Sequence, residues 1–170
     1  MMRTLFYTAC ACMAVAYAPA AKAQLAIEVD PSAKTWSLNG TTFTSKTKST
    51  DVLNALGGAN RTIEAANRTQ YIFDSLGVVV EVSEGNIAVR VFLGQSIRAT
   101  EPLKKYTGSM KIAGASITAA LNLGEVKART PGIAWTDLMG KGLMYSGKGL
   151  MLMVDTRSGK VNDVGFGFTK

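Results

Sequence analysis

The same order of turns and apolar segments occurs twice along residues 24–170, and this repeat constrains the fold more than any other feature of the sequence. Residues 36–43 (WSLNGTTF) place apolar residues on both sides of an Asn-Gly turn, which is typical of a β-hairpin. Residues 110–117 (MKIAGASI) keep that spacing, with Gly114 in the place of Gly40. Each unit is therefore predicted to open with a small hairpin.

A short helical segment follows each hairpin. Residues 49–51 (STD) offer side-chain oxygens and a negative charge to the unpaired N–H groups of a helix start, and Gly57 and Gly58 end the segment. Residues 121–126 are the weaker counterpart in the second unit and end before Pro131. We expect one short helix in each unit.

A run of strands follows each helical segment, and its spacing indicates duplication. The predicted strands cover 69–73, 77–82, 87–93, 143–145, 149–155 and 161–168. Gly40 and Gly77 are 37 residues apart, and Gly114 and Gly149 are 35 residues apart. The predicted fold class is α+β, a tandem duplication in which each unit is a small antiparallel sheet, of hairpin plus meander, with one short helix packed on it.

The predicted organisation has four segments. Residues 1–23 form a secretory signal peptide, 24–94 the first α+β unit, 95–108 a linker and 109–170 the second unit. The linker assignment follows from its polar and charged residues and from Pro102.

The first 23 residues have the three parts of a secretory leader. Arg3 supplies the positive start, residues 5–17 the apolar stretch and residues 21–23 (AKA) the cleavage signal. A membrane anchor is the alternative, but the stretch is short and rich in alanine. We expect a Sec-type leader cleaved near Ala23 and a periplasmic bacterial product without a transmembrane segment.

Composition excludes most catalytic chemistry. Cleavage would remove Cys10 and Cys12, and the sequence contains no histidine, so neither a Ser-His-Asp triad nor a thiol nucleophile nor a thiolate metal site is expected. Carboxylates alone could still perform acid–base work. They are Asp51, Glu64, Asp74, Glu81, Glu84, Asp137, Asp155 and Asp163, several of them in predicted caps or turns. We expect no enzyme, no cofactor and no metal.

Two strands carry information about surfaces. Ile87, Val89 and Val91 alternate with residues 88, 90 and 92, so one face of that strand is apolar and the other mixed. Residues 150–154 (LMLMV) are apolar on both faces, and such a strand must be covered on both sides. A binding surface could lie there. Met139, Met144, Met151 and Met153 gather in the second unit and could ligate copper, but buried packing is the preferred interpretation because no His or Cys is near.

Charge and loop residues indicate a protein partner. Residues 24–170 keep 17 of the 19 Lys+Arg and all 12 Asp+Glu, a net charge of +5 spread along the chain, which favours an acidic protein over nucleic acid. Arg129 and Trp135 bound an irregular loop, and Arg61 and Arg68 flank another. Arginine and aromatic side chains are usual anchors, so these four are the predicted partner-binding residues. The alternative is that Trp135 caps the second core.

Three motifs carry a family resemblance. Residues 38–40 (LNG), 51–57 (DVLNALG) and 71–78 (YIFDSLGV) resemble a bacterial family of uncharacterised domains that look similar to immunity-type proteins encoded beside secreted antibacterial effectors. The resemblance covers 35–94 well and 109–168 in outline. A looser analogy of architecture links the chain to tandem-repeat β-lactamase inhibitory proteins.

The resemblance implies a function of binding. We expect an exported periplasmic protein-binding module, an immunity-type inhibitor that occludes a secreted toxin or envelope hydrolase. The alternative is an envelope-maintenance module that binds peptidoglycan, lipid or an assembly partner.

Overall fold

The computed structural model describes residues 24–84, 86–94 and 103–168, so the predicted leader and most of the predicted linker lie outside the described residues. The first half of the chain contains β1 (Ala26–Asp30), β2 (Thr35–Leu38), β3 (Thr41–Thr44), α1 (Ser49–Leu56), β4 (Arg61–Ala65), β5 (Arg68–Phe73), β6 (Val78–Ser83) and β7 (Asn86–Phe92). The second half contains β8 (Ser109–Ile112), β9 (Ala115–Ser116), α2 (Leu123–Arg129), β10 (Thr136–Asp137), β11 (Met144–Gly147), β12 (Leu150–Val154) and β13 (Val161–Gly167).

These strands form two sheets. The five-stranded sheet has the order β3-β2-β1-β8-β9, and the eight-stranded sheet has the order β10-β11-β12-β13-β7-β6-β5-β4. Within these sheets, β1 and β8 are parallel and the other neighbours are antiparallel. Two sheets with two short helices confirm the α+β class in its coarse form.

The arrangement of the sheets differs from the predicted one, because the hairpin and the meander of one unit do not share a sheet. Hairpins β2–β3 and β8–β9 both enter the five-stranded sheet, whereas the meanders β4–β7 and β10–β13 meet in the eight-stranded sheet. Two pairings cause this difference. Strand β1, absent from the sequence prediction, separates the hairpins, and β7 pairs with β13, which removes two exposed strand edges.

The two sheets pack face to face on one core. Trp36 of β2 and Phe166 of β13 bring their ring centroids to 5.4 Å across it. Val52 of α1 and Val126 of α2 are fully buried in the same core. Each such buried side chain stabilises the fold by about 1.5–3 kcal/mol. The five-stranded sheet and both helices thus cover one face of the eight-stranded sheet.

The two helices begin differently. The N-cap of α1 is Lys48, which makes no side-chain capping bond, so the predicted N-cap oxygens within residues 49–51 are wrong. The predicted negative charge is confirmed, since Asp51 lies in the first turn. Burial of Val52 and Leu56 holds this two-turn helix against the core instead. In α2, Asn122 and Glu125 form a capping box, with backbone-to-side-chain distances of 3.0 and 2.8 Å.

Residues 103–108, assigned to the linker by the sequence, pack against the fold. Leu103 is buried against Ile72 and Phe92 of the eight-stranded sheet. The Tyr106 hydroxyl is hydrogen-bonded to the backbone carbonyls of Leu25 and Ser109, which ties the start of β1 to the start of β8. In the described part of the chain, no helix has the length and hydropathy needed to cross a membrane.

Candidate binding face

The eight-stranded sheet has one face on the core and one that we call the open face. Strand β7 defines it as predicted: Val89 and Val91 lie in the core, while Ala88, Arg90 and Phe92 lie on the opposite side. A groove of about 840 Å³ runs along the open face.

Register aligns the open-face side chains in rows that cross the strands. One row, from β12 to β4, is Met151, Gly165, Arg90, Val79, Ile72 and Arg61. The next row, from β13 to β4, is Gly167, Ala88, Glu81, Gln70 and Ile63. The groove is therefore built by both halves of the chain, and neither half contains it alone.

Three arginines of the open face are held by carboxylates, the first at the β4 edge. Arg61 donates from Nε and Nη2 to the two oxygens of Asp74, at 2.8 and 2.5 Å. This bidentate pair is about a quarter exposed on both sides. Next to it, Glu81 accepts from Gln70 at 2.8 Å and from Arg68 at 3.4 Å. The Arg68–Glu81 pair is weaker than the Arg61–Asp74 pair because its N–O distance is longer and its side chains are more exposed.

The third pair lies at the centre of the sheet. Arg90 Nε donates to Asp163 Oδ1 at 2.9 Å, and its Nη2 lies 2.7 Å from the Met153 sulfur. The guanidinium stands 5.5 Å from the Phe92 ring centroid. The Asp163 side chain is only 4 % exposed and also accepts from Asn162. The arginine is thereby fixed in one orientation.

Of the four predicted binding residues, two lie on the groove. Arg61 and Arg68 line it, but residues 61–68 form the β4–β5 hairpin and not the predicted long loop. The sequence did not show this strand because β4 is an exposed edge strand with no buried residue and so lacks apolar alternation.

The other two predicted residues lie away from the groove: Trp135 directly precedes the edge strand β10, and Arg129 contacts β9 of the five-stranded sheet. Arg129 ends α2 and donates from Nη1 to the Ser116 carbonyl at 3.2 Å. Trp135 is half-buried against the core and donates from Nε1 to Thr130 Oγ1 at 3.0 Å. Since β10 and β4 are the two edge strands, the four residues do not form one site.

Sequence reasoning missed the residues at the centre of the groove. The alternation along β7 places Arg90 on the mixed face of its strand, and this pattern is the one sequence signal that points to the open face. Met151 alternates with the buried residues Leu150 and Leu152 on β12. One face of this apolar strand therefore lies in the core, and the other lies on the groove. The pairing of β7 with β13, which brings Arg90 beside Gly165, has no local signal.

A loop at the β11 end of the sheet presents two exposed apolar side chains, Leu138 and Met139, which are 54 and 51 % exposed. Asp137 accepts from the backbone N–H groups of Met139, Gly140 and Gly142 at 2.8–3.0 Å. These hydrogen bonds lower the pKa of the Asp137 carboxyl, and the bond from Gly142 has the largest effect. The carboxylate thus organises the loop.

Across residues 24–84, 86–94 and 103–168, no three acidic, histidine or cysteine side chains are grouped so that they could hold a metal ion. Asp155 is used in a turn, where it accepts from Ser158 Oγ at 2.7 Å. That bond is the main cause of its lowered pKa.

These features define a two-sheet α+β protein whose larger sheet has one face on the core and an open face on which Leu103 covers Ile72 and Phe92. Residues 28–127 match the family model of a domain of unknown function, DUF7738, and the chain belongs to this family. The match begins in β1 and ends in α2, so it spans both sides of the predicted linker. No curated protein and no solved structure matches the chain significantly, and nothing in these comparisons links it to immunity-type proteins or β-lactamase inhibitory proteins.

Proposed function

We propose that this protein is an exported protein-binding module that covers its partner with the open face of the eight-stranded sheet. The observation that carries the proposal is the groove of about 840 Å³, in which apolar side chains from both halves lie among three organised arginine pairs. An apolar centre with arginine anchors is the composition that dominates binding energy at protein interfaces.

Preorganisation supports this assignment. Ordering a long side chain at an interface costs about 0.5–1.5 kcal/mol of binding free energy. Arg61 and Arg90 are already held by Asp74 and Asp163. A partner that contacts them therefore meets donors whose orientation is set before association.

Charge supports an acidic partner. The charges of the three open-face arginines are balanced by Asp74, Glu81 and Asp163. The sign of the electrostatic potential at this face therefore depends on the surrounding charges. Lys104 and Lys105 are exposed beside Leu103, and the Lys104 N–H donates to the Asp74 carbonyl at 3.2 Å. Together with the net charge of +5 over residues 24–170, they would attract an acidic surface.

The specific form that we propose is an immunity-type inhibitor in the bacterial periplasm, which occludes a secreted toxin or an envelope hydrolase. The leader-like residues 1–23 and the resemblance carried by the motifs within residues 38–78 support this form. We also propose that the chain arose by tandem duplication, since the order of hairpin, helix and four strands occurs in both halves.

An envelope-maintenance module is the second candidate. The groove lining includes Ile63, Val79 and Met144, and an apolar groove of this size also suits an acyl chain. The two functions predict different ligands, protein in one case and wall or lipid in the other.

A capture experiment with residues 24–170 tests the proposal. The protein is immobilised and exposed to periplasmic extract and to the product of the adjacent gene. Ile63→Glu places a charge on the open face, and Thr42→Glu places the same charge on the outer face of the five-stranded sheet as a matched control.

The proposal predicts one saturable, equimolar protein complex that is lost with Ile63→Glu and retained with Thr42→Glu. Retention only on cell-wall or membrane fractions would favour the envelope module. A protein complex that survives Ile63→Glu unchanged would place the interface elsewhere and contradict the proposed face.

A further inference from the structure

Strand β4 is an edge of the eight-stranded sheet, and its outer side faces no other strand among the described residues. Four of its five residues, at positions 62–65, are exposed, so neither face of the strand is covered there. Outside the pairing of β4 with β5, no hydrogen bond reaches the backbone of residues 62–65 in the described part of the chain. An edge strand presents unpaired N–H and C=O groups along its outer side. These groups form a template for one more strand.

The other edges of the two sheets are short or engaged. Strands β9 and β10 contain two residues each, and β3 contains four. At the end of β3, the Thr44 N–H donates to Thr47 Oγ1 at 2.9 Å, and the Thr44 carbonyl accepts from the Thr47 N–H at 3.1 Å. Strand β4 pairs with β5 without a bulge and contains neither lysine nor proline, the usual protections of an edge. It is therefore the longest and least protected edge of the two described sheets.

The side chains beside this edge define what an added strand would contact. Ile63 lines the groove on the open face and is 51 % exposed. Ala65, two residues further on, lies on the same face and is directly opposite Arg68 of β5. Because alanine is small, the Arg68 side chain can reach over it toward an added strand, whose backbone would lie about 10 Å from that of β5. Such a strand would place one side chain beside Ile63 and another within reach of Arg68.

Arg68 has room for a further hydrogen-bond acceptor. Its side chain is 52 % exposed and donates to Glu81 at 3.4 Å, while Glu81 accepts a shorter bond of 2.8 Å from Gln70. A guanidinium has five N–H donors, so this one long contact leaves most of them for a carboxylate of a partner. Together, Ile63 and Arg68 favour a strand that carries an apolar and an acidic residue two positions apart.

A second copy of the chain fits this edge less well than a different protein does. Antiparallel pairing of two β4 strands about a two-fold axis would set the two open faces side by side and leave both grooves uncovered. That contact would be about 17 Å long and one strand wide. Stable interfaces bury roughly 800 Å² on each partner. A protein that also covers the adjoining groove supplies this area, whereas the β4 strand of a second copy does not.

We propose that β4 takes up one extended segment of the bound protein as an additional strand of the sheet. The segment pairs antiparallel to β4, the slightly more stable arrangement, with an apolar residue opposite Ile63 and an acidic residue opposite Ala65, where Arg68 binds it. In this mode of recognition, backbone hydrogen bonds supply affinity and alternate side chains supply specificity. The inference rests on the proposed function, because the segment belongs to the protein that the open face covers.

Amide NMR of residues 24–170 tests this inference with a peptide of the expected pattern, N-acetyl-Thr-Asp-Lys-Ile-Thr-Val-Thr amide. In the antiparallel register its aspartate lies opposite Ala65, its lysine opposite Glu64 and its isoleucine opposite Ile63. We expect saturable shifts of the β4 amides, with a dissociation constant of about 0.1–1 mM for a peptide of this size. No shift up to about 5 mM peptide would overturn the proposal.

Backbone methylation of the peptide tests strand pairing itself. Each residue of a strand directs its N–H and C=O groups to one side, and the side alternates from one residue to the next. Of two peptides N-methylated only at the isoleucine or only at the threonine after it, just one carries its methyl group toward β4. That peptide should bind at least about tenfold more weakly than the other. Equal affinities of the two would contradict an added strand.

A charge exchange tests the register. Arg68→Glu should weaken binding of the aspartate peptide at least about fivefold and should favour a peptide with lysine in place of that aspartate. Arg157→Glu, the same change in the exposed β12–β13 turn, is the matched control and should keep the preference for aspartate. If Arg68→Glu fails to fold, Arg68→Gln replaces it, and the preference should then disappear. An unchanged preference in the folded Arg68 variant would contradict the proposed register.

Hydrogen exchange on the captured complex separates this inference from the proposed function. If a saturable protein complex forms and the amides of residues 61–65 exchange as they do in the free protein, the edge inference fails and the proposed function stands. If no protein is captured but the peptide binds with the methylation alternation, the proposed function fails and the edge site stands. A dimer in sedimentation that protects the same amides would assign the edge to a second copy and overturn the proposal.

Discussion

Arg90 and Asp163 form an ion pair that joins β7 to β13, with Nε 2.9 Å from Oδ1. The Asp163 side chain is 4 % exposed and the Arg90 side chain 28 %. The pair therefore couples the two halves of the sheet. It lies where the carboxylate has lost most of its contact with water, and it holds the arginine in place on the open face.

Removal of the Arg90 guanidinium should destabilise the fold. Arg90→Met removes a charged donor from a buried carboxylate, and we expect the free energy of unfolding in urea to fall by about 2–3 kcal/mol. The double variant Arg90→Met, Asp163→Asn should recover part of that loss, since no charge remains buried. Arg68→Met, at the exposed pair with Glu81, should change stability by less than about 1 kcal/mol. Equal effects of the two arginine substitutions would contradict this account.

Ala113 has a left-handed backbone conformation and is therefore a site for a stabilising substitution. Ala113 has φ of 49° in the β8–β9 turn, where the first hairpin has Asn39 at the same φ. Alanine is unfavourable in this region, and asparagine is tolerated. Ala113→Asn should raise the free energy of unfolding by about 0.5–1 kcal/mol, measured by urea titration. Ala115→Asn, two residues further on, provides a control that should not stabilise.

We expect the fold to lose stability at high pH because of the buried Tyr106 hydroxyl. Burial raises the pKa of its hydroxyl from 10.0 to about 12. Between those values the unfolded chain has released this proton and the folded chain retains it, so the contribution of Tyr106 to stability falls as pH rises from 10 to 12. Urea titrations across that range should show a steeper loss for wild type than for Tyr106→Phe. Parallel curves would contradict the burial of this hydroxyl.

The Asp137 carboxylate should control order in residues 138–142. Its pKa is lowered from 3.8, so its stabilising bonds are present above that pH and are lost as pH falls through the lowered value. The Gly142 amide shift should therefore titrate with a midpoint below 3.8. At neutral pH, Asp137→Ala should increase amide exchange at Met139, Gly140 and Gly142, while the Asn122 region stays protected. Unchanged exchange in the loop would show that other contacts organise it.

Much of the local structure is predictable because it follows from local chemistry. The Asn39-Gly40 turn adopts positive φ at both residues, as the hairpin motif requires, and Gly57 ends α1. The alternation in β7 correctly separates Val89 and Val91 from Arg90. These features depend on residues that are close together in the sequence.

The association of strands is less predictable because it depends on distant residues. Pairing of β1 with β8, and of β7 with β13, decides which strands share a sheet, and neither pairing has a local signature. The candidate site depends on the second pairing. Arg61 and Arg68 were predicted from their residue type and from a loop that they were expected to flank. Arg90 and Gly165, by contrast, become neighbours only when the two halves meet.

Site-specific labelling tests the open face most directly. Residues 24–170 contain no cysteine, so single cysteines can be introduced as Ala88→Cys on the open face and Thr42→Cys on the outer face of the five-stranded sheet, and each can be coupled to a maleimide polymer. The measurement is the fraction of protein that forms the equimolar complex. The account predicts that the label at residue 88 abolishes the complex and the label at residue 42 leaves it intact. A complex that tolerates the open-face label, or is lost only with the label at residue 42, would contradict the account.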